Sequence, residues 1–91
     1  MQLHLELEQS QLVIVARKKL LMDDLTVAKT YFSKAFSYNH LKADALCGMG
    51  AAEYLKDNLD RAEEFTALAL QIAPNNARVL NHAGVLFNEK K

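Results

Sequence analysis

The chain has 91 residues, of which 51% are apolar and 24% are charged, and its 11 basic and 11 acidic side chains balance. This composition predicts one small folded domain and excludes a disordered tail, while the balanced charge argues against general binding to nucleic acid or an anionic membrane. One cysteine excludes a disulfide framework, and no apolar run approaches the roughly 18 residues of a transmembrane helix. The start, MQLHLELEQ, lacks the basic region of a signal peptide, so we predict none.

Residues 1–8 form an N-terminal extension in which apolar and polar side chains alternate. Alternation is typical of a strand, but Leu3 and Leu7 would also share one face of a helix. We expect a helical extension or a loose tail. An exposed strand edge would instead predict self-association.

Beyond residue 8, apolar side chains recur at helical spacing. They predict five helices. The first two cover about residues 9–22 and 25–38, the third contains Leu46 and Tyr54, the fourth follows Asn58 and runs through Phe65 and Ile72, and the last covers about residues 77–89. The turns inside the first two helix pairs carry residues that we expect to cap the next helix, namely Asp23, Asp24, Asp57 and Asn58. Pro74 prevents the fourth helix from continuing, and Asn76 is a candidate cap for the fifth.

The pattern of the first helix pair returns after 34 residues. Apolar and small residues recur in step while charged positions vary, as expected where only buried positions are constrained in volume. Glycine inside a helix costs about 1 kcal/mol relative to alanine, so its recurrence suggests a close helix crossing. The predicted repeat-packing residues are Leu12, Leu46 and Leu80, then Ala16, Gly50 and Gly84, then Ala28 and Ala62.

A helix–turn–helix unit of this period resembles the tetratricopeptide repeat (TPR). Residues 43–76 match the TPR pattern through Leu46, Met49-Gly50, Ala62 and Pro74, although Glu53 stands where Tyr is usual. The resemblance implies an all-α fold, an α-solenoid of antiparallel helix pairs in one domain. TPR unit 1 would span residues 9–42 and TPR unit 2 residues 43–76, with residues 77–91 as a half repeat or capping helix.

In TPR proteins the first helices of the units line a concave face that holds ligand segments. Carried over by helix register, this implies a peptide-binding groove made of Val13, Arg17, Leu20, Cys47, Ala51, Tyr54, Arg78, Asn81 and Val85. Chaperone-binding members grip a terminal carboxylate with Lys and Asn side chains. Two arginines, Arg17 and Arg78, do not make that clamp.

The resemblance favours a non-catalytic scaffold or adaptor that binds another protein or peptide, because the TPR fold carries no chemistry of its own. The alternative is an assembly module that forms homo-oligomers, or a fragment of a longer array in which Val79, Val85 and Leu86 await a partner helix. Residues 76–91 are loosely similar to the repeats of bacterial pilus-assembly lipoproteins. The compartment would be the cytoplasm by default, or the periplasm for a piece of such a lipoprotein.

The sequence gives little indication of metal binding or catalysis. The three histidines lack the spacing of a helical metal pair, and Cys47 has no readable neighbouring base, so we expect no metal, no cofactor and no catalysis. His82 is predicted on an exposed helix face, and Cys47 as a small buried residue. Lys19 and Glu53 share one repeat position and could pair between neighbouring first helices.

Overall fold

The computed structural model describes the backbone of residues 2–89 and the side chains of residues 9–86. It contains five helices, which are α1 (Gln2–Leu21), α2 (Leu25–Phe36), α3 (Lys42–Leu55), α4 (Leu59–Ile72) and α5 (Ala77–Glu89). A short 3-10 turn, Asn39–Leu41, precedes α3. The backbone of residues 2–89 contains no strand, so the all-α prediction is confirmed.

The N-terminal segment continues α1, which begins at Gln2. The strand alternative for this segment is therefore wrong across residues 2–8. The side chains of residues 1–8 and 87–91 lie outside the described part of the chain, and with them the predicted shared face of Leu3 and Leu7.

The turns inside the two helix pairs, after α1 and after α3, end these helices in the same way. Asp23 and Asp57 have left-handed backbones, with φ of 63° and 64°. The next amide reaches back to the helix in both turns, from Asp24 N to Lys19 O at 2.9 Å and from Asn58 N to Glu53 O at 2.8 Å. A left-handed residue followed by this backbone bond is a common helix ending. The 34-residue repeat thus extends to the backbone hydrogen bonds of the turns.

Capping by side chains follows the prediction only at the last helix. Asp24 and Asn58 occupy the capping positions of α2 and α4 but make no capping bond with their side chains. That prediction is wrong at both positions, and the side-chain amide of Asn58 instead donates from Nδ2 to Glu53 Oε2 at 2.9 Å. Asn76 caps α5 as predicted, since its Oδ1 accepts bonds from the amides of Arg78 and Val79 at 2.9 and 3.2 Å.

The helices stack in chain order. Each helix packs against the next one, and the first helices of successive pairs also touch, α1 against α3 and α3 against α5. The result is an elongated stack of antiparallel hairpins measuring 47 × 29 × 16 Å. Because α1, α3 and α5 lie side by side, their outward surfaces form one shared face.

The core forms two apolar clusters that Met49 joins. The first holds Val13, Ala16, Ala28, Phe32, Ala35, Leu41 and Ala45, and the second holds Leu46, Cys47, Ala69 and Val79. The predicted packing residues Ala16, Ala28, Leu46, Gly50 and Ala62 are buried, and Leu12 packs against the first cluster. The repeated positions therefore build the interior up to α4.

On α5 the repeat-packing prediction is wrong. Leu80 is 49% exposed, and a Cβ placed on Gly84 would meet no atom within 4 Å. No further helix covers that face of α5 within the described residues. Of the residues predicted to await a partner, Val79 and Leu86 are buried, whereas Val85 is 55% exposed.

A buried carboxylate joins the two hairpins. Glu53 on α3 is only 2% exposed and accepts a bond from Lys29 Nζ on α2 at 3.0 Å, in addition to the bond from Asn58. The predicted pairing with Lys19 is wrong, because Lys29 approaches from the neighbouring helix. Burial alone would raise the pKa of this carboxyl, but the bonds from Lys29 and Asn58 outweigh burial and hold the pKa below its ordinary value.

Candidate functional site

An apolar pocket lies between α3 and α5. Its volume is about 190 Å³, and it is lined by Ala51, Tyr54, Leu55, His82, Val85 and Leu86. The helical spacing of Ala51, Tyr54 and Leu55 places these side chains on one side of α3. The pocket therefore offers a small apolar concavity in the surface shared by the first helices.

A second pocket, which we call the cationic pocket, adjoins the first. It has a volume of about 90 Å³ and is lined by Arg17, Leu20, Phe32, Cys47, Gly48, Ala51, Arg78 and His82. Ala51 and His82 belong to both pockets. We refer to the two adjoining pockets together as the groove.

Seven of the nine predicted groove residues line these pockets. They are Arg17, Leu20, Cys47, Ala51, Tyr54, Arg78 and Val85. Val13 is only 5% exposed and packs in the first core cluster, so its assignment to the groove is corrected. Asn81 is exposed on α5 and lines neither pocket, although it lies four residues before Val85 and therefore on the same side of the helix.

His82 is one of five residues that line the pockets but were not in the predicted groove, the others being Phe32, Gly48, Leu55 and Leu86. The prediction of an exposed side chain is wrong, since the imidazole is half-buried, with a buried Nε2 that has no hydrogen-bond partner. A Cβ on Gly50 would lie 3.4 Å from Nε2, so the absence of a side chain at Gly50 makes room for the ring. His82 lies 34 residues after the buried Gly48, and this repeat position was the signal that could have indicated burial.

The charges of the groove are mainly positive. Arg78 Nη1 lies 3.4 Å from Asp44 Oδ1, whereas Arg17 has no carboxylate within 4.0 Å among the described side chains. Partial burial, and then the neighbouring Arg78 cation, lower the pKa of Arg17. Burial also lowers the pKa of His82, which favours the neutral imidazole at pH 7.

Cys47 confirms the prediction of a small buried residue. Burial, and then the charge of Asp44, raise the pKa of its thiol to about 11. A thiol with this pKa is protonated at neutral pH, and the thiolate is the form that attacks or binds metal. Cys47 therefore contributes an apolar wall to the cationic pocket.

Two larger depressions, of about 450 and 410 Å³, are lined mostly by charged side chains; the first lies at the turn between α1 and α2, and the second along the first half of α4. Among residues 9–86, no three His, Cys, Asp or Glu side chains are grouped so that they could hold a metal ion. A helix long and apolar enough to cross a membrane is likewise absent from the described residues. No family model, curated protein or solved structure matches the chain.

Proposed function

We propose that the chain is a non-catalytic protein-binding module of the TPR type, which holds a helical or extended segment of another protein in the groove. The observation that carries this proposal is the pair of adjoining pockets on the face shared by α1, α3 and α5. Grooves of this kind hold amphipathic helices or extended peptides through a few anchoring side chains.

The dimensions of the groove favour a side chain over a free small molecule. Small-molecule sites typically have volumes of about 300–1,000 Å³, and the apolar pocket reaches only about 190 Å³. A pocket of this size suits one aliphatic or aromatic side chain of a longer segment. Tyr54 and the two arginines are also of the residue types that most often dominate binding energy at interfaces.

A selection from random peptides tests this proposal, because it requires no identified partner. A display library of short random peptides is selected on the immobilised chain, and the most enriched peptide is synthesised and titrated by fluorescence anisotropy. Val85→Glu places a charge at the edge of the apolar pocket and should weaken binding about tenfold or more, equivalent to about 1.4 kcal/mol. Tyr54→Ala should weaken binding as well.

Leu68→Glu is the matched control. Leu68 on α4 is exposed to a similar degree, 47% against 55% for Val85, and lies outside both pockets. Circular dichroism confirms that each variant is folded. Equal binding by wild type and Val85→Glu, or a failure to enrich any peptide, would contradict the proposal.

Self-association stays the alternative proposal, and a specific observation favours it. The exposed side chains of Leu80 and Val85 flank the uncovered Gly84 on α5, and apolar patches of this kind can mark contacts between proteins. Sedimentation equilibrium over a wide concentration range tests it. A mass that stays monomeric at all concentrations would exclude self-association through this face.

A further inference from the structure

Among the described side chains, the positive charge of the cationic pocket is only partly compensated. Two guanidinium groups, those of Arg17 and Arg78, line it beside the apolar side chains of Leu20 and Phe32. The only carboxylate beside them is Asp44, which bonds Arg78 at 3.4 Å, among the described side chains. A guanidinium group carries five N–H donors, so one long contact to Asp44 leaves most of the donors of this arginine pair available.

We infer that the groove selects segments in which a carboxylate side chain binds Arg17 and Arg78 while a neighbouring apolar side chain fills the apolar pocket. The inference rests on the proposed function, and it names the chemistry of the partner. Charge complementarity is the argument: an incoming Asp or Glu relieves the repulsion between the two guanidinium groups, whereas an incoming Lys or Arg adds to it. Arginine also matches a carboxylate through two parallel hydrogen bonds.

The apolar surroundings increase the effect of such a contact. Arg17 is half-buried, and Leu20 and Phe32 line the same small pocket. A charge pair in this position is less screened by water and salt than a pair on an open surface. The lowered pKa of Arg17, caused by burial and then by Arg78, agrees with a cation that lacks full compensation. The neutral form of His82 adds no competing charge at pH 7.

The geometry of α3 sets the spacing within the segment. Cys47 and Gly48 line only the cationic pocket, Tyr54 and Leu55 only the apolar pocket, and Ala51 lies between them. With a rise of about 1.5 Å per residue, the residues that line only one of the two pockets are separated by about 9–12 Å along this helix. A helical ligand spans this distance in about six to eight residues, and an extended ligand spans it in three or four.

The experiment starts from the enriched peptide of the random-peptide selection. Enriched peptides should carry Asp or Glu at this spacing from a large apolar residue. The best peptide is compared with a version in which the acidic side chain is replaced by its amide, and with a version whose C-terminus is amidated. The side-chain replacement should weaken binding to the wild-type chain about tenfold, and the C-terminal amide should not.

Arg17→Gln tests whether Arg17 binds the carboxylate side chain of the peptide. Lys18→Gln is the matched control, because it removes the same charge from the adjacent, exposed position. Arg17→Gln should weaken binding about tenfold and cancel the difference between the acidic and amide peptides. Lys18→Gln should preserve that difference. Raising the salt concentration should weaken the acidic peptide on the wild-type chain somewhat more than on Arg17→Gln, because salt screens a half-buried charge pair only in part.

The outcomes separate this inference from the proposed function. If Val85→Glu abolishes binding but the amide peptide and Arg17→Gln bind normally, the preference for an acidic side chain is wrong, whereas the proposal that the groove binds a protein segment is supported. Loss of binding on C-terminal amidation alone would also overturn the inference. If Val85→Glu leaves binding unchanged, the proposed function is contradicted, and the inference that rests on it is contradicted as well.

Discussion

Replacing each of three glycines on α3 and α5 by alanine should change the stability of the fold differently, because the space beside each glycine differs. A Cβ on Gly48 would overlap the ring of Phe32, which is fully buried. A Cβ on Gly50 would lie 3.2 Å from Thr66 Oγ1 and 3.3 Å from the backbone oxygen of Ala62, while Gly84 has open space. All three lie inside helices, where alanine is favoured over glycine by about 1 kcal/mol.

The expected free energies follow from these distances. Gly84→Ala should raise the free energy of unfolding by about 0.5–1 kcal/mol, since it gains helix propensity without a clash. Gly48→Ala should lower it by about 2 kcal/mol, because overpacking of about 3 kcal/mol exceeds the gain in propensity. The effect of Gly50→Ala should lie between these two, with a decrease of up to about 1 kcal/mol in the free energy of unfolding, since the Ala62 backbone must move by a few tenths of an ångström.

Urea unfolding followed by circular dichroism measures all three variants on one scale. With a slope of about 1 kcal/mol per molar urea for a domain of this size, the midpoints of Gly84→Ala and Gly48→Ala should differ by about 3 M. Equal midpoints for these two variants, or a Gly84→Ala protein less stable than wild type, would refute the reasoning from the open and filled spaces.

Three further predictions concern buried polar groups. Glu53→Gln should lower the free energy of unfolding by about 2 kcal/mol at pH 7 through loss of the bond to Lys29. Because the folded pKa of Glu53 lies below its ordinary value of 4.5, the deficit of this variant should shrink as the pH falls below that value. The pKa of His82 is lowered by burial from 6.5, so thermal stability should fall as the pH drops from about 7.5 towards 5.5, and His82→Gln should show a smaller fall. The Cys47 thiol, with a pKa of about 11 and a buried position, should resist iodoacetamide at neutral pH and react in denaturing urea; rapid alkylation of the folded chain would contradict its burial.

The helices were predictable because their signals are local. The predicted end of the fourth helix before Pro74 and the start of the fifth at residue 77 agree with α4 and α5. The 34-residue period then placed the small residues Ala16, Ala28 and Ala62 in the interior. Most of the candidate groove followed from helix register as well, since residues three or four apart share one face of a helix.

Two of the errors fall where helices meet. Glu53 binds Lys29 rather than Lys19 because the approach of α2 to α3 determines which cation reaches the carboxylate. Val13 is buried because it packs in one cluster with Phe32 and the small residues of α2. In each case the sequence interval between the partners carries no information about the distance between them.

By itself, the sequence determined the helices, their order and their repeated small positions, because hydrophobic periodicity, turn residues and proline act within a few residues along the chain. Only the tertiary structure decided that Gly50 is enclosed while Gly84 is open, and that His82 stands between the two pockets. These properties depend on which neighbouring helix covers a given face, and that coverage is set by packing between segments far apart in the chain.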